Sequence, residues 1–543
     1  MYLPPYLLTT KNYMHFSLVD ISTGETAHTF EGAVKAKGCL PGQVVSYDGA
    51  NCKPHPDHPY SSPPIVGVIH LRSRTIYGMT ARNVPIYLFY PLDSSYPPFR
   101  VGCSEADRSH NRLAVVYYDN WRDGEFPRAN LDRTIGTAGA IPSEILALET
   151  AASPSWREKP HIPLPAAAEP AAPIDPADGW WTANIDPEGC RDIDDAISYK
   201  ALPDGSYEVA ISIANVYEQI ATTPLWPYAQ RTAQTVYDDG RAVRPMLPLE
   251  YSEGRCSLLP GQWRDVVSYM FTWQPGSVPA TGVFKRACLF NQQSYSYDTI
   301  RALAPEPSAI LEQLTADIGL CLPEEDPHKW VESFMLLYNR SAAAVLKAAG
   351  DGILRRQAKP ADIVMPPDDR ELASLLERMA SAPGEYCMAT AEQTEHHSLA
   401  TTAYCHASSP IRRFADLYNQ GVLLKALGFS TEHLKPSTPS LPALINTLNV
   451  HSKACKRFER DAFFLRWLDG EGSRINRFSG TVISDNFAHS EKKLRIWVPA
   501  WKRIVSWRTT DTSIQIGAHL HLEMYLDISQ PNWKNRLVIR NCE

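Results

Sequence analysis

Residues 151–178, A-A-S-P-S-W-R-E-K-P-H-I-P-L-P-A-A-A-E-P-A-A-P-I-D-P-A-D, divide this 543-residue chain more firmly than any other stretch. Each proline fixes its own φ and removes a backbone donor, so the run cannot supply a sheet ladder and favours extended polyproline geometry. It therefore reads as a linker, and the fold has to be built separately on its two sides. Before it, short β-type runs such as P-I-V-G-V-I-H-L and N-R-L-A-V-V-Y-Y alternate with Gly, Pro and Asn, the pattern of small barrels or sandwiches.

After the linker the periodicity changes twice. D-D-A-I-S-Y-K-A-L, P-D-G-S and Y-E-V-A-I-S-I-A-N-V predict a β-hairpin with a D-G turn. From Asp326 the spacing becomes helical and stops at Gly350. E-L-A-S-L-L-E-R-M-A predicts a second helix, and S-S-P-I-R-R-F-A-D-L-Y a third, with Ser409 as its cap and Pro410 in its first position. Helices continue to about Leu468, and S-G-T-V-I-S, L-R-I-W-V-P-A-W and A-H-L-H-L-E-M-Y-L then predict the strands of a closing β-barrel.

A 44% hydrophobic and 21% charged composition is that of a globular protein. Eleven cysteines without a C-x-x-C pair argue against a zinc ribbon or disulfide framework and fit a reducing compartment. No apolar run reaches the ~20 residues of a membrane span, and the N-terminus lacks a secretory or mitochondrial signature. A soluble, cytoplasmic chain is expected. The net charge of −7 conceals a basic end: residues 474–543 carry eleven Lys/Arg against six Asp/Glu. Such a segment is an electrostatic footprint for a polyanion.

The most chemically suggestive stretch is N-I-D-P-E-G-C-R-D-I-D-D-A, residues 184–196. Asp186, Asp192, Asp194 and Asp195 crowd into ten residues, and Pro187 and Gly189 fold the first back toward the others. Clustered carboxylates repel unless a cation balances them, and oxygen-only donors suit Mg²⁺. Spacing alone fits an acidic surface loop or a structural calcium site equally well.

Four motifs in order decide between these readings. D-P-x-x-x-R-D-I-D-D-A, T-V-Y-D-D-G-R-A-V-R-P-M-L-P-L-E-Y-S-E-G-R-C-S-L, V-E-S-F-M-L-L-Y-N and H-H-S-L-A-T-T-A-Y-C-H-A-S-S-P-I-R-R-F-A-D-L together resemble the ribonuclease II (RNB) family of 3′→5′ exoribonucleases. The resemblance implies an α+β multidomain fold. Residues 1–150 would form two trimmed cold-shock-type OB barrels and 151–178 the linker. Residues 179–472 would be the mixed α/β RNB catalytic domain and 473–543 an OB-fold RNA-binding barrel. C-L-P-G-Q-V-V, P-P-I-V-G-V-I, Y-P-L-D-S-S-Y-P-P-F-R-V and the I-G-x-x-G before Glu144 resemble the exosome-associated and exosome-independent eukaryotic members. No leading endonuclease domain is expected.

The implied activity is processive hydrolysis of single-stranded RNA to 5′-mononucleotides by a monomer, with no membrane partner. Asp186, Asp192, Asp194 and Asp195 would hold Mg²⁺ (or Mn²⁺) and place the attacking water. Asp195 would matter most for chemistry while sparing RNA binding. Arg412 would stabilise charge in the transition state. Arg413 would bind RNA or pair with Asp416. Tyr237 and Tyr297 would stack on bases at the end of the channel, and Glu459 would lie within it. In the C-terminal barrel, Trp501, Lys502 and Arg503, with Trp497, Trp507 and Arg508, combine stacking surface and phosphate attraction, with at least one tryptophan buried. His396, His397, His406, Cys387 and Cys405 fit no common zinc spacing.

The chain departs from the family at Ser212 and Asn215 of S-I-A-N-V, at Ser333 and at Gln357. Asn215 costs a carboxylate beside the site. Two alternatives follow: a catalytically inactive RNA-binding protein on the same scaffold, and a DNA exonuclease with the same metal chemistry.

Overall fold

The structure, a computed structural model, describes residues 4–122, 124–156, 172–320, 326–359, 383–431, 434, 440–470, 475–488, 491–527, 529–530 and 537–542. At the N-terminal side, β1 (Pro5–Thr10), β2 (His15–Asp20), β3 (Thr26–Glu31), β4 (Val44–Tyr47) and β5 (Cys52–Pro54) form a sheet in the order β3-β2-β1-β4-β5. Leu8, Phe16, Leu18 and Phe30 are its core. Next, β6 (Ile65–Ile69), β7 (Ile86–Pro91), β8 (Phe99–Gly102), β9 (Arg112–Asn120) and β10 (Arg128–Thr137) close into a barrel, which removes exposed edges.

Strand β6, I-V-G-V-I, is apolar on both faces because both are covered. Ile65 and Ile69 point into the barrel, and Val66 and Val68 pack against a helix outside it. Gly67 is required between them: a Cβ there would stand 2.3 Å from the Tyr90 carbonyl oxygen. The outer helix, α1 (Ile141–Ala152), was not expected within an all-β region. Pro142 fills its first turn, and Ala147, Leu148 and Ala152 face the barrel.

The polyproline reading of the linker needs correction at its end. Ala172–Ile174 forms a strand, β11, paired in parallel with β18 (Val283–Phe290) at the edge of the central sheet, where proline is tolerated. The other strands are β12 (Trp181–Asp186), β13 (Asp195–Ala201), β14 (Tyr207–Ala214), β17 (Trp263–Trp273) and β19 (Gln293–Ser296). Their order is β11-β18-β17-β14-β13-β12-β19. The expected hairpin is β13–β14. Two two-stranded sheets stand apart, the hairpin β15 (Val236–Asp238) with β16 (Arg241–Arg244), and β20 (Ile353–Arg356) with β21 (Glu385–Met388).

Around this sheet lie α2 (Tyr217–Ile220), α3 (Leu225–Thr232), α4 (Ile300–Leu303), α5 (Pro305–Ile318), α6 (Pro327–Ala349), α7 (Phe414–Ala426) and α8 (Leu441–Gly470). Helix α6 has the expected ends: the Asp326 carboxylate accepts the His328 N–H, and Gly350 takes a left-handed conformation. The helix expected over 371–380 lies outside the described residues. Helix α7 starts later than expected, at Phe414 rather than after Ser409. Arg413 is extended (φ −138°, ψ 126°) because Gln234 bridges to it and Phe414 N–H donates to the Ala233 carbonyl, so tertiary pairing overrides the Ser-Pro start signal.

Helix α7 is buried on every side from Phe414 to Leu424. Its polar residues are consequently all satisfied inside. Gln420 Oε1 accepts from Val216 N–H and Tyr217 N–H, and Nε2 donates to the Ala214 carbonyl. Asn419 likewise joins Ile353 and the His406 carbonyl.

The last sheet, β22 (Ile475–Ala488), β23 (Glu491–Val498), β24 (Arg503–Thr509), β25 (His519–Leu526) and β26 (Leu537–Asn541), has the order β24-β23-β22-β25-β26. Alternation in β23 sends Leu494, Ile496 and Val498 to the core and leaves Lys493 and Arg495 exposed. Among the described residues no helix is long and apolar enough to cross a membrane, and ten cysteines are free.

Two substitutions test this packing. Gln420→Leu leaves two buried N–H groups without their acceptor and is expected to cost about 2–4 kcal/mol, seen as a lower thermal midpoint with lost amide-exchange protection around Val216. Arg244, whose side chain is buried, donates to Glu149 (2.8 Å) and Thr150 (3.0 Å) across the α1–β16 contact. Arg244→Ala should destabilise by roughly 3 kcal/mol, and an Arg244→Met/Glu149→Leu pair should recover most of it.

Candidate active site

Asp186 ends β12 and Asp195 begins β13, so two neighbouring strands carry the outer members of the cluster to the same end of the sheet. The loop between them turns at Gly189 (φ 79°), and Cys190 N–H donates to the Pro187 carbonyl. It is held down from the C-S-L motif. Ser257 Oγ accepts from Ile193 N–H (3.0 Å) and donates to the Arg191 carbonyl (2.7 Å), and Leu258 N–H donates to the Ile193 carbonyl. Ile193 and Asp194 are both buried, which anchors the loop against the core.

Each carboxylate has a distinct environment. Asn184 Nδ2 donates to Asp186 Oδ2 (2.8 Å), and Asn291 in turn donates to Asn184 Oδ1 (2.8 Å). Asp192 Oδ2 accepts from the Tyr237 hydroxyl (3.1 Å). Asp194 is buried: its Oδ1 accepts from Ile411 N–H (2.9 Å), and its Oδ2 lies 3.4 Å from Arg412 Nε. Burial pushes Asp194 up to about 7 against the pull of Arg412. Asp186 is raised by burial and then by the charge of Asp192, and Asp195 well raised by burial and then by Asp186 and Asp194. These acids therefore share one electrostatic field that favours an added cation.

Arg412 and Arg413 part company. Arg413 forks onto buried Asp416 through Nε and Nη2 (both 2.8 Å), and Asp416 also accepts from Ser409 N–H (2.9 Å). Of the two expectations for Arg413, the structure shows the pairing with Asp416, made inside the core, in place of a side chain free for RNA. Arg412 remains 43% exposed, with Nη2 donating to Ser409 Oγ (3.1 Å). Thr235 N–H donates to the Arg412 carbonyl, which ties this turn to the strand bearing Tyr237. Tyr297 follows Ser296, the register partner of Asp186, and burial and then the charges of Asp186 and Asp195 raise its hydroxyl pKa.

The remaining candidates lie elsewhere. Glu459 is on the exposed face of α8. Trp501 packs into an aromatic cluster with Trp467 (4.5 Å), Phe478 (4.6 Å) and Phe464 (5.6 Å), so its role is packing rather than a free stacking surface. Lys502 follows it, exposed, at φ 49°, and the Arg503 guanidinium lies 4.3 Å over Phe463. Trp497, Trp501 and Trp507 are each half-buried, and none is fully enclosed as expected. Arg508 is exposed.

Asn215 faces Glu218, and Ser212 bonds Ser268 (2.8 Å), so both departures are absorbed locally. Ser333 is buried in α6, and Gln357 Oε1 accepts from Ser398 N–H (3.0 Å). The histidine-cysteine group gathers no metal set; His406 is half-buried and meets the Tyr386 hydroxyl (2.9 Å). Sequence reasoning missed Asn184, Asn291 and Ser257 as the supports of the aspartates. Asn184 and Ser257 lie inside quoted stretches, whereas Asn291 carried no signal.

Among the described residues no three His, Cys, Asp or Glu side chains form a ready-made metal cage. The donor set nonetheless suits Mg²⁺, which commonly takes one or two carboxylates and completes its shell with water and phosphate.

Comparison with known proteins agrees with this geometry. The RNB domain family model matches residues 179–319 and 304–428, and the Dis3-like cold-shock domain 2 model matches residues 86–152. The exosome complex exonuclease dis3 of Schizosaccharomyces pombe is 26% identical over 71% of this chain and 49% of its own length. The chain thus spans about half the length of that relative. Mycoplasma genitalium RNase R, solved with ribose-methylated single-stranded RNA, shares the fold at TM-score 0.66 and 16% identity, covering 99% of this chain and 100% of its own. Yeast Ssd1, described as a pseudonuclease, aligns at TM-score 0.70 and 14% identity over 97% of this chain and 80% of its own. The aspartate loop and the arginine turn both lie inside the segments that the RNB domain model matches, and the match to the Dis3-like cold-shock domain 2 model precedes them in the chain.

Proposed function

We propose that this protein hydrolyses single-stranded RNA from the 3′ end, releasing 5′-mononucleotides. The observation that carries the reading is the burial of Asp194 against Ile411 N–H and a half-exposed Arg412, in the loop that joins Asp186 at the end of β12 to Asp195 at the start of its antiparallel neighbour β13. A folded acidic surface loop would not bury an aspartate against the backbone N–H of Ile411, 217 residues away in sequence, and the guanidinium of the neighbouring Arg412.

In this reading Asp186, Asp192, Asp194 and Asp195 would hold Mg²⁺, with Mn²⁺ as a substitute. A divalent ion there supplies an activated water and stabilises the leaving oxygen. The chain's own groups do the rest. Arg412, held by Asp194 and Ser409, turns its free edge to the scissile phosphate and counters charge that grows in the transition state. Tyr237, fixed through Asp192, offers a ring that accepts any base, as stepwise removal of every nucleotide demands, and Tyr297, one face of which is covered by His328, adds aromatic surface through that pair. Ile411 N–H and Arg412 keep Asp194 oriented.

A second reading, RNA binding without cleavage, is favoured by one feature: Asp194 already has two partners, and no closed cage stands ready. The likeness to a pseudonuclease fits it too.

One assay separates the two. With 5′-labelled RNA and Mg²⁺, the protein should give a ladder shortening from the 3′ end, abolished by EDTA. Asp195→Asn should slow it on the order of a hundredfold or more while RNA affinity stays within about threefold. A ladder unchanged in the mutant would sink the site assignment, and binding without any cleavage would establish the second reading. Metal binding can be read without activity: paramagnetic resonance of Mn²⁺ should show ion uptake by the wild type that Asp186→Asn weakens at least about tenfold.

A further inference from the structure

Tyr297 does not stand alone. The imidazole of His328 lies flat on its ring, with centroids 3.8 Å apart and planes 13° from parallel. His328 comes from the first turn of α6, an element remote in sequence from the Tyr297 loop, and no motif singled it out.

The ring is held in this pose. Asp326 Oδ1 accepts from His328 N–H (2.9 Å) and meets His328 Nδ1 (2.8 Å), so the capping carboxylate also fixes the imidazole plane. These two bonds, the side chain's before the backbone's, keep Asp326 below the usual carboxylate range and hence ionised. Despite this fixing, the His328 side chain is 61% exposed. Side-chain entropy has thus been spent on orienting an aromatic ring whose outer surface faces solvent. Tyr297 directly follows Ser296, the register partner of Asp186 across β19 and β12, so the stacked pair stands at the end of the sheet that carries the aspartates.

A surface pair serving only stability would gain little from a rigid exposed histidine. A stacking platform gains directly, because a fixed ring loses no rotamer freedom when a base settles on it. We infer that His328 and Tyr297 form one two-ring platform, and that the terminal nucleobase of the RNA stacks on it. This inference rests on the functional reading above for the identity of the ligand, and extends it to a residue outside the family motifs. The platform recognises a flat π-face and is indifferent to which base supplies it. His328 acts as a stacking residue and takes no part in proton transfer, so an aromatic replacement should serve.

The test is a binding experiment on the full chain in EDTA, where no cleavage occurs. RNA carrying 2-aminopurine as its 3′-terminal base should lose fluorescence on binding wild type, because stacking quenches that fluorophore. With His328→Ala the quenching should disappear and affinity fall about five- to tenfold, the range set by one lost base–aromatic stack. His328→Phe should restore both. A 2-aminopurine placed in the middle of the strand should respond alike in all three proteins. Circular dichroism melting of each variant checks that α6 is intact; the exposed position makes unfolding a separable outcome, and recovery in His328→Phe excludes it. Equal quenching and affinity in wild type and His328→Ala would overturn the platform, as would a failure of the wild type to quench the terminal probe. Failure of the nuclease reading looks different: the terminal base stacks in a His328-dependent way, yet Mg²⁺ produces no ladder.

Discussion

Three demands inside helix α7 govern the rest of the molecule: Asp416, Asn419 and Gln420 are fully buried polar side chains, and each must find partners. They find them in backbone groups of otherwise separate segments. Gln420 closes the end of β14, Asn419 binds β20 and the His406 carbonyl, and Asp416 takes the Ser409 amide and the Arg413 fork. Because an unmet buried polar group costs more than a met one gains, these contacts fix geometry more than they add stability.

The consequence for the site is a division between two adjacent arginines. Asp416 draws Arg413 inward, and the extended backbone at Arg413 sends its predecessor the opposite way, so Arg412 faces Asp194. A continuous helix from Ser409 would have set the two guanidinium groups about 100° apart on one cylinder, with neither constrained by the core. The break before Phe414 is therefore part of how the arginine reaches the aspartates, which sit on a different element. Their side of the contact is prepared by Ser257 and Asn184, which hold the loop and Asp186 in place before any ion or phosphate arrives.

Much of this was legible in the chain. The aspartate spacing, the D-G hairpin and the Asp326-to-Gly350 limits of α6 are local signals, and local signals survive folding when tertiary contacts agree with them. Where they disagree, sequence misleads. Ser409 and Pro410 announce a helix start, but pairing of 233–235 with 412–414 consumes the backbone groups that the first turn would use. Trp501 alternates with basic residues as an RNA-facing aromatic would, yet α8 supplies Phe464 and Trp467 to cover it. Helix α1 hid behind an Ile-Pro-Ser-Glu opening that resembles a turn, and its apolar face became meaningful only against β6. Asn184, Asn291 and His328 carry no periodicity at all; single polar residues from separate strands and helices acquire meaning only when the fold brings them together.

Helix α8 explains why the outlying sheets are not beads on a string. Its 30 residues span about 45 Å, and it touches every unit in turn. Ala443 packs with Leu7 and Val44 of the first sheet, Cys455 and Phe458 with α1 and the barrel, and Phe464 and Trp467 with the last sheet. Near its end Arg466 pairs with Asp238, one residue from Tyr237. A single rod that contacts three β-modules and the hairpin bearing a site tyrosine makes their relative placement a property of one helix. Any tilt of α8 would move Tyr237 with respect to Asp192, so the separation between the modules and the geometry at the carboxylates are set by the same element.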